Sequence, residues 1–173
     1  MILTKQNRPM ENQDFNCGIS ANITTNEAFR GICKVTEWWS KNVDGKTEKL
    51  NDVFTYHSRD TWVTFKIIEC IADKKIVWHV TDCYMHSFED KTEWKNTNVV
   101  FEILRNGNST QINFSHIGLV PEIKCYEGCV KGWDQYFKDS LLKLLTTGKG
   151  QPAQVKFWQS KNNIPIFFSR PAP

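Results

Sequence analysis

Three side chains able to ligate a metal or act as nucleophile and base fall close together in the stretch SHIGLVPEIKCYEGCVKGW, residues 115–133: His116, Cys125 and Cys129. An imidazole beside two thiolates is zinc chemistry, but such sites take three or four ligands held close together. These three converge only if the loop after His116 folds back. Cys125 and Cys129 are four apart and would share a helix face, yet Cys125 stands at or before the expected helix start, where that spacing is unreliable. The ligand count argues against a metal, and none is expected. As a nucleophilic pair, a thiol gains acidity at a helix N-terminus, but no third orienting group or oxyanion donor accompanies it. No catalytic residue is assigned, and the chain is expected not to be an enzyme. His116 shares a strand face with Ile112 and Phe114, so it is expected buried and hydrogen-bonded. The cysteines are expected to pack as small apolar groups.

Two other groups bear on chemistry. Asp82 and Tyr84 continue the alternation Ile76–Trp78–Val80 and, with His116, would form a polar cluster able to do acid–base work. The alternative, favoured because aspartate is rarely buried unpaired, is that Asp82 lies at a strand end in water. Gly128 and Gly132 stand one turn apart at the start of a helix, where each costs about 1 kcal/mol relative to alanine. Either they permit close helix–sheet packing, or their missing side chains leave a cavity beneath the helix.

These groups are positioned by a mostly β chain. Residues 14–23 read as a first strand. Thr24 and Glu27 have capping-box spacing, and Ala28, Phe29, Ile32 and Val35 follow at helical spacing, with Gly31 and the β-branched residues near 35–36 suggesting a break into two short helices. Trp38 and Trp39 sit in the second; adjacent on one helix, they are not expected both to be fully buried, one packing at the helix–sheet junction and the other at the mouth of a cavity. Segments 53–58, 62–72, 75–85, 98–106 and 109–119 are rich in β-branched and aromatic residues and read as strands. Asn106-Gly107 marks an antiparallel hairpin, and 86–97 reads as a polar loop or short helix with one tryptophan. Val130, Trp133, Phe137, Leu141 and Leu144 make an apolar stripe along a final helix, with Gly148 as its C-cap.

The 173 residues suffice for one domain with a full core, and seven tryptophans and eleven phenylalanines need a sizeable interior or a cavity to line. The net charge of +3 is scattered, with no basic stripe for nucleic acid. No run approaches the roughly 20 apolar residues of a membrane span. Residues 1–13 lack the apolar core of a signal peptide. They read as a mobile leader in which Met10 offers a second start. A cytoplasmic location is expected, and the six cysteines contain no Cys-x-x-Cys pair. The domain is placed at 14–150 and the tail at 151–173; the tail's Phe157, Trp158, Phe167 and Phe168 offer surface for packing.

The ordered segments NEAFRGICKVTEWWS, KLNDVFTY, KIVWHVTD, DKTEWKNTNVVFEI, TQINFSHIGLVPEIKCYEGCVKGW and SLLKLLTTGKG resemble the SRPBCC (START-like) superfamily. The branch is that of the activator of the heat-shock-protein-90 ATPase, and small bacterial single-domain members are most similar. The resemblance runs from about residue 11 to about residue 152. It implies an α+β helix-grip fold, a seven-stranded antiparallel sheet wrapped around the C-terminal helix, and a cavity for an apolar ligand. The eukaryotic activator contacts its chaperone through two domains, and this chain has the equivalent of the C-terminal one. The expected partner is therefore a small hydrophobic or aromatic ligand, with no cofactor. The alternative is a protein-interaction module, and a cavity enzyme using His116 or Asp82 stands third. The inward faces nominate Trp78, Phe101, Phe114, His116, Gly128, Gly132, Trp133 and Phe137 as cavity lining.

Overall fold

The structure, a computed structural model, describes residues 13–154. The expected leader, apart from Gln13, and the aromatic residues of the tail lie outside the described residues. β1 (Phe15–Ala21) leads into α1 (Thr25–Cys33) through the expected capping box: Thr24 Oγ1 accepts from the Glu27 N–H at 3.1 Å, and the Glu27 carboxylate accepts from the Thr24 N–H at 2.7 Å. The break before α2 (Val35–Trp38) falls at Lys34, whose backbone leaves helical space. Gly31 is not the breaker. It lies inside α1, and a Cβ there would collide with Leu145, so it serves close approach of two helices.

A short strand β2 (Val43–Gly45) precedes β3 (Val53–Ser58), β4 (Thr61–Ile71), β5 (Lys75–Tyr84), β6 (Asn98–Asn106) and β7 (Ser109–Ile117). These form one antiparallel sheet in the order β1-β7-β6-β5-β4-β3-β2. Asn106 pairs with Ser109 across the hairpin, and Gly107 takes the positive φ that such a turn requires. The residue pattern missed β2, because three half-exposed residues show no alternation.

The final helix is α3 (Tyr126–Trp133), a π-helical segment (Asp134–Leu141) and α4 (Leu142–Thr147). Trp133, Phe137, Leu141 and Leu144 are buried against the curved sheet, as the stripe requires. Trp38, Trp78, Phe54, Phe65, Phe101, Phe114 and Phe137 are the largest fully buried side chains. Trp78 Nε1–H has no nitrogen or oxygen partner, and the Phe54 ring stands edge-to-face with the indole at 5.1 Å. No helix among the described residues is long and apolar enough to cross a membrane.

As expected of adjacent helical residues, Trp38 and Trp39 are not both fully buried: Trp38 is sealed in the core, while Trp39 keeps 4% of its surface exposed. Trp39, the C-cap of α2, keeps helical backbone angles, and its ring stacks on Tyr56 at 4.6 Å. Its backbone is held by the end of the described chain. Trp39 C=O accepts from Ala153 N–H, and Lys41 N–H donates to Ala153 C=O, both at 2.8 Å. Ser140 Oγ donates to Trp38 C=O at 2.7 Å and accepts from Gln151 N–H at 2.6 Å. Residues 151–153, assigned to the tail from sequence, are thus bound to the domain. Removing residues 154–173 keeps this whole strap, and the urea midpoint is expected to be unchanged. Loss of cooperative unfolding in that truncation would contradict this.

Candidate functional site

A pocket of about 250 Å³ opens between α3, the β3–β4 hairpin and the segment joining β5 to β6. Its wall is largely apolar. Trp39, Val63, Met85, Phe88, Trp94 and Trp133 supply carbon surface, while Tyr56, Ser58, Thr61, Cys129 and Tyr136 bring hydroxyl and thiol groups. Gly128 and Gly132 complete the helix side, and a Cβ built on either meets nothing within 4 Å. The glycines therefore border open space, not a close packing contact. Along α3 and the π-helical segment the pocket residues 128, 129, 132, 133 and 136 follow i, i+1, i+4, i+5, i+8 and form a stripe beside the core stripe. Trp133 belongs to both.

The segment between β5 and β6 is shaped by its own bonds. The Lys91 ammonium donates to the His86 and Phe88 carbonyls at 2.6 Å each, and Asp90 caps Thr92 N–H at 2.8 Å. The Glu93 carboxylate accepts from the Lys124 and Cys125 N–H groups at 3.0 and 2.8 Å, tying this segment to the start of α3. Trp94 is thereby carried inward and lies nearly parallel to Trp133, with centroids 6.0 Å apart. Sequence reasoning passed over Trp94 because no periodicity marks a lone ring in a polar loop. Tyr136 left a legible signal, three residues after Trp133 and four after Gly132.

Of the sequence-nominated lining residues, Gly128, Gly132 and Trp133 are at the pocket wall. Trp78, Phe101, Phe114, His116 and Phe137 are corrections. They are sealed in the core, because inward alternation selects the concave face of the sheet without separating its filled part from its open part. His116 is fully buried between two partners. Trp133 Nε1–H donates to His116 Nδ1 at 3.1 Å, so the ring carries its proton on Nε2 and donates to Thr97 Oγ1 at 3.0 Å. Thr97 in turn donates to the Trp94 carbonyl at 2.6 Å. Burial drives the imidazole pKa down to about 3, so the ring is neutral, with both nitrogens engaged.

Asp82 is also away from the pocket. Thr64 pairs with Asp82 but Phe65 pairs with Val80, so β5 carries an extra residue at Thr81. That bulge shifts the alternation, placing Cys83 inward and Asp82 in solvent, 3.1 Å from Lys95 Nζ. No Asp82–Tyr84–His116 cluster forms. Nor do His116, Cys125 and Cys129 form a metal set: among the described residues no group of three or more His, Cys, Asp or Glu side chains converges. Cys125 instead accepts the Trp94 indole N–H at 3.3 Å.

No protein-family model matches the chain, and no curated protein matches it. Solved structures do. The Aha1 dimer from Colwellia psychrerythraea superposes with a TM-score of 0.65 at 18% identity, covering 80% of this chain and 99% of that one. SSP2350 from Staphylococcus saprophyticus gives 0.62 at 13% identity, covering 82% and 98%. CalU16 from Micromonospora echinospora gives 0.56 at 10% identity, covering 76% and 74%. With a seven-stranded antiparallel sheet closed around a C-terminal helix, the chain has an α+β helix-grip fold, the fold it shares with these solved structures.

Proposed function

We propose that the protein is a binding module for a small apolar or aromatic molecule held in the pocket beneath α3, without turnover. The observation that carries this is the open space at Gly128 and Gly132, where the helix forgoes propensity and no neighbour fills the gap. An apolar cavity of about 150 Å³ accepts benzene, so the 250 Å³ here suits one or two rings. The aromatic walls supply the contact, and Tyr56, Ser58, Thr61 and Tyr136 supply hydroxyls to orient a polar substituent. Binding is favoured over catalysis because His116 is sealed and Asp82 faces solvent. The protein-interaction alternative draws little support from the sheet surface. The exposed Val53, Ile71, Leu104 and Ile117 sit opposite Lys66, Lys75, Gln111 and Asn98, which break up an apolar patch. A reducing, cytoplasmic setting accords with cysteines that are free and largely buried or half-buried.

The test is Gly132→Ala, followed by urea denaturation and by calorimetric titration with 2-naphthol. Alanine gains helix propensity without a clash, so stability is expected to rise by up to about 1 kcal/mol. Naphthol affinity is expected to fall several-fold, because the methyl group occupies the pocket. A destabilised variant with unchanged naphthol binding would make Gly132 a packing residue and remove the pocket's role.

A further inference from the structure

Among the described residues, no charged side chain lines the pocket beneath α3. The charged groups of the β5–β6 segment that borders it are committed elsewhere. The Lys91 ammonium is spent on two carbonyls of its own segment, and the Glu93 carboxylate on two backbone N–H groups at the start of α3. Arg59 and Asp60, in the turn of the β3–β4 hairpin, are exposed, adjacent and opposite in sign. Water and salt screen what field they leave at the mouth. An anion entering the pocket would give up its hydration and meet no counter-ion.

What the wall offers instead is hydrogen-bond donors. Three indoles line the pocket, and two have their N–H engaged: Trp94 donates to Cys125 Sγ and Trp133 to His116 Nδ1. Trp39 is different. Its N–H has no partner among the described residues and is not sealed from solvent, although the residue is buried. An indole nitrogen only donates, so this N–H calls for an acceptor. Tyr56 and Tyr136 face the same space from the hairpin and from the helix. Burial raises the pKa of both hydroxyls, and Tyr56 raises that of Tyr136 further, so both keep their protons. Thr61 Oγ1 already accepts from His86 N–H at 3.1 Å, which leaves its own hydrogen to donate. Among the described residues no carboxylate, imidazole or amide side chain lines the wall to receive a hydrogen from a ligand.

We infer that the pocket selects uncharged ring compounds bearing a carbonyl-type hydrogen-bond acceptor, such as a carboxamide, and rejects the corresponding carboxylates. This rests on the pocket being a ligand site and names the class of ligand it takes. The ring enters among Trp39, Trp94 and Trp133, and the acceptor oxygen is met by the Trp39 N–H and the hydroxyls of Tyr56 and Tyr136. The two tyrosines determine specificity. A carboxylate presents the same oxygens, but its charge is desolvated without a cation to offset the loss. Aromatic walls can also attract a cation, yet here the polar groups turn hydrogens toward the ligand, which repel one.

The experiment is calorimetric titration of the full chain with 2-naphthamide, its isostere 2-naphthoate, and 2-naphthylmethylammonium, at about pH 7.5 where the acid is ionised. The amide is expected to bind about tenfold or more tighter than either ion. Tyr136→Phe keeps the ring and loses the hydroxyl. It is expected to weaken 2-naphthamide several-fold more than 2-methylnaphthalene, read by displacement of 2-naphthol. Tyr56→Phe is the second variant, with the same expectation. Naphthoate binding as tightly as the amide would overturn the selectivity for uncharged ligands, and tighter binding of the ammonium would make the rings a cation cage. If both tyrosine variants weaken the amide and the hydrocarbon equally, the hydroxyls do not hold the acceptor. In each of these cases the pocket stands as a ligand site. Absence of binding by 2-naphthol and by every other naphthyl probe would instead remove the pocket, and the selectivity with it.

Discussion

Replacing Trp133 by alanine is expected to destabilise the protein by about 3–5 kcal/mol, the range of large-to-small core changes. The side chain is 2% exposed and its ring lies 4.7 Å from Phe114 and 5.2 Å from Trp39, centroid to centroid. Truncation removes these contacts and also the donor to His116 Nδ1, leaving a buried acceptor unpaired at a cost of about 1–3 kcal/mol. Because Trp133 borders the pocket, the void would merge with it and the ligand preference would shift to larger molecules. Trp133→Phe separates the two contributions: it keeps most of the ring surface, loses the N–H, and is expected to cost about 1–3 kcal/mol. Urea midpoints decide the matter. An alanine variant as stable as wild type would show that α3 does not bury this face.

What was legible beforehand is what local chemistry specifies. The Thr24–Glu27 capping box, the Asn106-Gly107 turn and the Trp133–Phe137–Leu141–Leu144 stripe each depend on side chains a few residues apart, and each appears where the pattern puts it. The glycines of α3 were legible as well, because glycine in a helix costs propensity and asks for a reason. Their surroundings were not, since whether a missing side chain meets a neighbour or a void depends on distant elements. The same limit explains the misplaced lining residues. Phe114 and Val63 both point to the concave face, yet the first is covered by Trp133 and Phe137 while the second reaches the pocket. For Asp82 the favoured reading, a strand end in water, is the one observed, and the inward alternative fails because a single bulged residue inverts the alternation. Trp39 needed the strap at Ala153, about a hundred residues away, before its burial could be understood.

Acid is expected to weaken the fold through His116. The folded ring resists protonation down to a pKa of about 3, because burial disfavours the charged form, while an unfolded histidine protonates near 6.5. Between those values the unfolded chain binds one more proton than the folded one. Stability is therefore fully present above pH 6.5 and is lost as pH falls, by about 1.4 kcal/mol per unit, or about 5 kcal/mol across the window. The network offers no relief: Nδ1 faces a donor in Trp133, so a proton added there has no acceptor. Protonation thus requires the Trp133–His116–Thr97–Trp94 chain to break, and that chain joins the core to the pocket wall. The interval from pH 7 to 5 isolates the effect from ordinary carboxylates, which titrate lower. Wild type is expected to lose about 2 kcal/mol more over that interval than His116→Gln, which can accept from Trp133 and donate to Thr97 without titrating. Because the comparison is of slopes, a lower starting stability of the variant does not matter. If His116→Gln fails to fold, NMR of the wild-type ring decides: Nε2–H must persist as the neutral tautomer to below pH 5. Parallel pH profiles for the two proteins, or an imidazolium signal at pH 6 in the folded state, would show that His116 is solvated and that the chain of hydrogen bonds does not hold.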